Sequence, residues 1–304
     1  MPNSTQNLNR RSFLKVSALA GGGMILSFNW LAGCKSNSEE VLGLPKEWFR
    51  LNGFIKIGEN GLITIMSPNP EGGQNIKTSM PLIVAEELDA DWTKVVVEQA
   101  PLDTDNFTRQ FIGGSQAIRM GWKALRTAGA TARHLLIQAA AQTWKVDASE
   151  ITTEPGFLVH KASGKKAHFG EMASLAATLT VPEEVPLKEI SQFRLIGKSH
   201  KNVEAKNIVT GKPLFGIDYK KEGMLIAMIV HPPAHGLRLK SFDDSAARSM
   251  PGIRDIFQIK SHQDEYERTF FDTTSFTDLV AIVGNSTWEV MSAKKALKVE
   301  WEEF

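Results

Sequence analysis

The sequence predicts a mixed α/β protein built as two units behind an N-terminal leader. Three observations carry that prediction. Short β-type runs alternate with helix-period segments along the chain after residue 50. A stripe of apolar residues at helical spacing, from residue 118 to residue 144, marks a principal packing helix. A stretch of proline and mixed charge, residues 181–206, separates one alternating series from the next. With 304 residues, 42% of them hydrophobic, the chain has room for two modest cores.

The leader comes first. Asn9-Arg10-Arg11-Ser12-Phe13-Leu14-Lys15 has the form of a twin-arginine export signal. A glycine-bearing apolar stretch follows and ends in Leu31-Ala32-Gly33-Cys34, which resembles a lipoprotein cleavage site. A basic segment, a mildly apolar segment and a small-residue site read as a processed signal rather than a spanning helix. The expectation is export directed by Arg10 and Arg11 to the periplasmic side. Cys34 would carry the lipid that is the chain's sole attachment to the membrane. The twin-arginine route carries folded proteins, so a cofactor would be inserted before export. Residues 1–34 are read as signal and 35–49 as a solvated tether.

Formal net charge is +1, and the leader contributes Arg10, Arg11 and Lys15 without an acid. The remainder is slightly acidic, which argues against a nucleic-acid partner. Cys34 is the sole cysteine, so an internal disulfide or a cysteine-held iron–sulfur cluster is excluded.

Residues 50–180 form the first expected unit. Phe54-Ile55-Lys56-Ile57 and Leu62-Ile63-Thr64-Ile65 are β-type runs joined by Gly58-Glu59-Asn60-Gly61, a hairpin pattern. Pro68 and Pro70 close the second strand. Glu71-Gly72-Gly73-Gln74-Asn75 then makes a loop able to bring bare backbone close to a ligand. A helix reaches Leu88 with Met80, Ile83 and Val84 on its apolar face. Pro81 fits a first turn, which puts the start near Ser79. Glu86 and Glu87 are expected to face solvent on it. Val95-Val96-Val97-Glu98 is a strand. The long helix begins near Ser115, preceded by Gly113 and Gly114, with the Ser115 hydroxyl suited to the N-cap. Its stripe is Ile118, Trp122, Leu125, Gly129, Ala132, Leu136 and Ala139. Trp144 takes over packing where Thr143 breaks the series; Arg119, Lys123, Arg126 and Arg133 lie on another face, Arg119 and Arg126 being read as solvated or ion-paired surface residues. Residues 151–178 read as a hairpin with a short helix, and 181–206 as a linker.

Residues 207–304 form the second expected unit. Residues 224–230 read as a nearly continuous apolar strand stopped by Pro232 and Pro233, and 241–250 as a short helix. Residues 256–259 read as a strand, 279–283 as a buried strand, 288–296 as a helix and 297–301 as a last strand. His231 and His235 lack a second ligand at metal spacing and are read as structural.

Several phrases together resemble the large, molybdenum-binding subunit of the xanthine dehydrogenase and aldehyde oxidase family. The match is to its exported branch, represented by isoquinoline 1-oxidoreductase β subunits. Pro70-Glu71-Gly72-Gly73-Gln74-Asn75-Ile76-Lys77-Thr78 resembles that family's Glu-x-Gly-Gln-Gly-x-x-Thr loop, with Gly72 and Asn75 as departures. Ala85-Glu86-Glu87-Leu88-Asp89, Val97-Glu98-Gln99-Ala100-Pro101 and Gly113-Gly114-Ser115 follow in the family's order. Residues 209–301 resemble its α/β hammerhead domain.

The resemblance implies a molybdopterin-binding α/β unit followed by a hammerhead-like unit. It implies a molybdopterin in the cytosine dinucleotide form with molybdenum, held near Gly73, Gln74 and Asn75. The phosphate side would lie at Gly113, Gly114 and Ser115. It implies oxidation of a small aldehyde or N-heterocycle with oxygen from water, an iron–sulfur small subunit with [2Fe–2S] clusters, and a cytochrome electron acceptor. The family's catalytic glutamate lies in a domain beyond the end of this chain. The chain alone is therefore expected to be inactive, and neither Glu71, Glu86 nor Glu87 is read as a base. The alternative reading is a non-catalytic exported lipoprotein that keeps these domains for binding.

Overall fold

The computed structural model describes residues 44–107, 109–262, 266–267 and 276–303. Arg10, Arg11, Cys34 and the tether up to residue 43 lie outside the described residues. Two compact units divide at Phe215 and Gly216. The fold is mixed α/β with several small sheets.

In the first unit, β1 (Trp48–Arg50), β2 (Ile55–Gly58), β3 (Ile63–Ser67) and β4 (Val95–Gln99) form one sheet in that order. The β2/β3 hairpin pairs Ile55 with Ile65 and Ile57 with Ile63, so alternation puts four buried isoleucines on one face. Gly61 holds the turn at φ +82°, open to glycine without strain. β3 and β4 run parallel, joined by α1 (Ile76–Leu88). Parallel strands cannot be joined by a tight turn, so the helix makes the crossover. As a result, the loops leaving the C-terminal ends of β3 and β4 open on the same edge of the sheet.

α1 starts at Ile76, three residues before the expected Ser79, which leaves Pro81 in its interior. The earlier start is possible because the Glu71 carboxylate accepts the Lys77 N–H at 2.9 Å, satisfying a first-turn donor.

α2 (Ala117–Trp144) is the principal helix. Leu125, Gly129, Ala132, Leu136 and Ala139 are buried as the stripe requires, while Trp122 and Trp144 are half-buried against the same core. Ala130, Leu135 and Ala140 are buried as well, because α2 packs against α1 on one side and α3 (Phe169–Ala176) on another. At Gly129 the α1 backbone passes so close that a Cβ would meet Val84 O at 2.3 Å. β5 (Ile151–Glu154), β6 (Phe157–His160) and β7 (Lys165–His168) form a three-stranded meander, one strand more than the expected hairpin.

Residues 181–206, expected as a linker, are fastened onto α1 as described below. α4 (Ala205–Val209) follows, and Glu204 just before it pairs with Lys77 on α1.

In the second unit, β8 (Ile226–Val230) and β9 (Leu237–Asp243) come first, followed by α5 (Ser245–Arg248) and β10 (Ile253–Lys260). β11 (Asp278–Gly284), α6 (Thr287–Ala296) and β12 (Lys298–Glu303) complete it. The sheets are β10-β11-β8 and β12-β9, all antiparallel. The helix expected over 241–250 is only Ser245–Arg248. Residues 241–243 belong instead to β9, which the sequence reading missed. Its alternation, Leu237 then Leu239, is broken by a bulge at Lys240 that brings Phe242 back into phase against Val299.

Candidate functional site

The site is built on the two loops at the C-terminal ends of the parallel strands, the edge where open α/β sheets place ligands. The first, residues 68–75, leaves β3; the second, residues 100–116, leaves β4. Three amide side chains join them. Asn69 Nδ2 donates to Phe111 O at 2.7 Å. Gln99 Nε2 donates to Ser67 O and Asn69 O at 3.0 and 3.2 Å. Gln110 Nε2 reaches Pro68 O and Pro101 O at 3.2 and 2.7 Å. A Cβ on Gly72 would lie 3.4 Å from Ile112 Cδ1, so the two loop tips meet. The structure thus brings together two glycine phrases that lie far apart in the chain.

The first loop closes on itself. Glu71 Oε1 accepts the Gly73 and Asn75 N–H groups at 2.7 and 3.0 Å. Gln74 Oε1 accepts the Gly72 N–H at 2.6 Å, and Gln74 Nε2 donates to Pro70 O at 3.0 Å. Gly73 (φ +102°) and Asn75 (φ +66°) take the left-handed turns this needs; Asn tolerates that region better than most residues. No atom lies within 4 Å of a Cβ built on Gly73, so the loop is open there.

The second loop differs from its expectation. Ser115 is not the N-cap: its φ is +54°, next to Gly114 at +58°, and the helix begins at Ala117 with Gln116 as cap. Two successive left-handed residues turn the chain before the helix can start. No side chain caps the α2 N-terminus; the Gln116 amide instead accepts from Arg109 Nη1 at 3.0 Å. Within the loop, hydrogen bonds from the Asn106 side chain and backbone hold the Asp103 carboxyl below the usual range. Phe111, 52% exposed, leaves apolar surface beside Gly113, and Leu102 is exposed elsewhere on the same loop.

Three buried polar atoms at this edge have no hydrogen-bond partner among the described residues: Asn75 Oδ1, Gln99 Oε1 and Ser67 Oγ. Orphaned acceptors are uncommon in folded proteins and cost free energy when dry. The two amide oxygens call for N–H or O–H donors, and the Ser67 hydroxyl can donate or accept.

The opposite end of α1 carries a second polar cluster, and it overturns the expectation that Glu86 and Glu87 face solvent. Glu86 is 1% exposed and Glu87 fully buried. Glu86 Oε2 accepts the backbone N–H groups of Arg194, Leu195 and Ile196 at 2.8, 2.6 and 3.1 Å. Lys188 Nζ bridges Glu86 and Asp89 at 2.9 and 2.7 Å. Glu87 takes Arg126 at 2.7 Å and Arg133 at 3.7 Å, so both arginines are ion-paired. Burial works to raise the Glu86 carboxyl. Hydrogen bonds from Leu195, Lys188, Ile196 and Arg194 outweigh it and hold the group below its usual range. Burial likewise opposes Asp89, which Lys188, Thr153 and Arg194 pull down. Each of the three carboxylates of this cluster is therefore held by ion pairs and hydrogen bonds within the fold.

Among the described residues no group of three or more His, Cys, Asp or Glu could hold a metal, and no helix is long and apolar enough to cross a membrane. His231 and His235 stack on Phe276 at 5.5 and 5.1 Å between centroids, a structural use of both rings.

Residues 30–215 match the sequence model of the molybdopterin cofactor-binding domain, which ends where the first compact unit ends. The chain belongs to the molybdopterin cofactor-binding domain family. The family expected from the Pro70–Thr78 phrase is therefore found. The chain is 30% identical over 293 residues to the β subunit of isoquinoline 1-oxidoreductase from Brevundimonas diminuta, across 83% of this chain and 35% of that protein. It is 29% identical over 308 residues to the membrane-bound aldehyde dehydrogenase [pyrroloquinoline-quinone] of Gluconacetobacter polyoxogenes, across 97% of this chain and 37% of that one. A subunit of the nicotinate dehydrogenase of Pseudomonas putida is 26% identical over 261 residues, across 83% of this chain and 20% of that one. The chain spans between a fifth and about a third of the length of these relatives. Within the family-matched region lie both loops and the three amides that join them.

Proposed function

We propose that this chain is the N-terminal part of the cofactor-binding subunit of a molybdenum hydroxylase that oxidises a small aldehyde or N-heterocycle. The observation that carries the reading is the pairing of the two glycine loops, through Asn69 and Phe111, at the parallel-strand edge of the family-matched unit. When bound, a molybdopterin would supply oxygen transfer from water and accept two electrons. This chain's residues would bind and orient it. Gly73 and Gly114 allow close backbone approach, and the Gln74 amide can donate or accept. Asn75 Oδ1 and Gln99 Oε1 offer acceptors to the ring system. The uncapped start of α2 favours a phosphate beside Gly113, Gly114 and Ser115. The cytosine dinucleotide form is the one the family resemblance suggests.

The remaining parts of the reading follow from the sequence. With Cys34 its sole cysteine, the chain needs an iron–sulfur small subunit to take the electrons and pass them to an acceptor such as a cytochrome. Arg10 and Arg11 direct export to the periplasmic side, with Cys34 as lipid anchor. Residues 216–303 would serve as the hammerhead-like unit.

Metal analysis of natively purified protein, with its co-purifying subunits, tests the reading. Near-stoichiometric molybdenum supports it. Bound redox-active quinone without molybdenum would replace it with the cofactor in the name of the Gluconacetobacter relative. Absence of both would favour the non-catalytic binding module.

A further inference from the structure

We propose that Glu71 is a positioning residue: an internal anion that shapes the first loop and fills the cradle its backbone would otherwise offer to a ligand's anionic group. The proposal deepens the function proposed above and rests on it for the identity of the ligand.

The geometry is that of an occupied anion nest. Three alternate amides, those of Gly73, Asn75 and Lys77, converge on one carboxylate at 2.7, 3.0 and 2.9 Å. Successive backbone N–H groups turned inward by left-handed residues form a concavity that favours negative charge. Here the left-handed residues are Gly73 and Asn75, and the charge comes from the chain itself. A carboxylate in that position also opposes the positive end of the α1 dipole. Bonds from backbone N–H to an ionised group are about twice as strong as neutral ones, enough to hold Asn75 in a conformation that costs it about 1 kcal/mol. The fourth loop amide, Gly72 N–H, is taken by Gln74. The loop therefore has no amide at 72, 73, 75 or 77 to spare for a phosphate or thiolate.

The N–H groups of Gly73 and Asn75 are then not donors to the ligand. The loop offers a fixed frame instead. Gly73 provides its open point, Gln74 a side chain that can exchange an internal bond for a ligand, and Asn75 Oδ1 an acceptor. A ligand's anionic portion has to find its donors elsewhere than in the loop that Glu71 occupies.

The test uses the full chain with its natural partner subunits and compares wild type, Glu71→Gln and Glu71→Asp. Glutamine keeps the length but sets an NH2 donor against at least one of the three N–H groups. Two readouts are needed: amide exchange by NMR and molybdenum content. In Glu71→Gln, exchange at Gly73, Asn75 and Lys77 should accelerate by about tenfold or more, with the amides of β6 unchanged as proof of folding. Cofactor occupancy should fall with it, and Glu71→Asp, which keeps the charge on a shorter stem, should recover part of both. Unchanged exchange at the three amides overturns the proposal, as does faster exchange with full occupancy. A wild-type protein free of molybdenum refutes the cofactor assignment, and the exchange comparison then decides Glu71's hold on the loop by itself.

Discussion

In the first unit, α2 is buried along much of its length between α1 and α3, and Glu86, Glu87 and Asp89 are buried with it. In the second, the buried core is Ala247, Ile256, Val280, Ile282, Val290 and Ala293, on one face of a three-stranded sheet. The other face keeps Phe257 and Ile229 exposed to 41% and 37%. The charged pairs differ in the same way. Arg248 with Asp244 and Asp255, and Arg238 with Glu302, lie at the surface of the second unit, where an ion pair contributes about 0–1 kcal/mol. The comparison shows that charge can be buried where a return segment of chain brings every lone pair a donor. Residues 188–196 do that in the first unit, and nothing comparable exists among the described residues of the second.

The largest expected effect comes from removing the charge at the centre of that arrangement. Glu86→Ala leaves three backbone N–H groups without their acceptor and Lys188 with Asp89 as its remaining carboxylate, and breaking a buried pair costs about 3–5 kcal/mol. Native-state hydrogen exchange, which reads the two units separately, should show amides of α1 and α2 losing protection while those of β11 keep theirs. Equal losses in both units would break the comparison.

Acid makes the same test without a mutation. Glu86 and Asp89 have folded-state pKa values below their unfolded ones. Their stabilisation is complete above the unfolded carboxylate range, near ~4, and is lost as pH falls through the depressed folded range. Exchange measured from about pH 6 downward should therefore show protection in α1 eroding below about pH 4 faster than protection in β11.

In the second unit the weakness should be apolar. Ile282→Ala opens a cavity in a core with few neighbours to fill it and should cost about 2–5 kcal/mol there, with α1 and α2 unaffected. A smaller effect is expected at the helix crossing. Gly129→Ala pushes a methyl group against Val84 O and Glu87 Cβ and should cost about 1–3 kcal/mol, confined to the first unit. A neutral result there, by chemical denaturation, would mean that α1 and α2 can move apart freely.

Much of the fold was legible because local pattern and final packing agree. The β2/β3 hairpin follows from two apolar runs and a glycine turn. The buried face of α2 follows from a stripe at intervals of three and four, and Trp144 packs where the stripe ends. β9 was not legible because a bulge at Lys240 interrupts its alternation and hides the strand behind what looks like a helix start. The site was legible as residue types but not as an arrangement. Gly73, Gln74 and Asn75 fall in one loop and Gly113, Gly114 and Ser115 in the other, yet nothing local says that Asn69 bonds Phe111 or that Ser115 is left-handed.

The sequence by itself determined the periodic elements, the family and the presence of two glycine loops. These depend on spacing, on glycine's conformational freedom and on the order of short phrases. Tertiary structure alone decided which charges are buried and which loop donors are already taken. Glu86, a charged residue near the end of a helix, looks solvated until residues about a hundred positions later supply its hydrogen bonds. Glu71 looks like an idle carboxylate until the backbone folds around it. The reason is common to both. Burying a charge is favourable only when donors converge on it from several directions, and that convergence is a property of the folded chain rather than of any stretch of it.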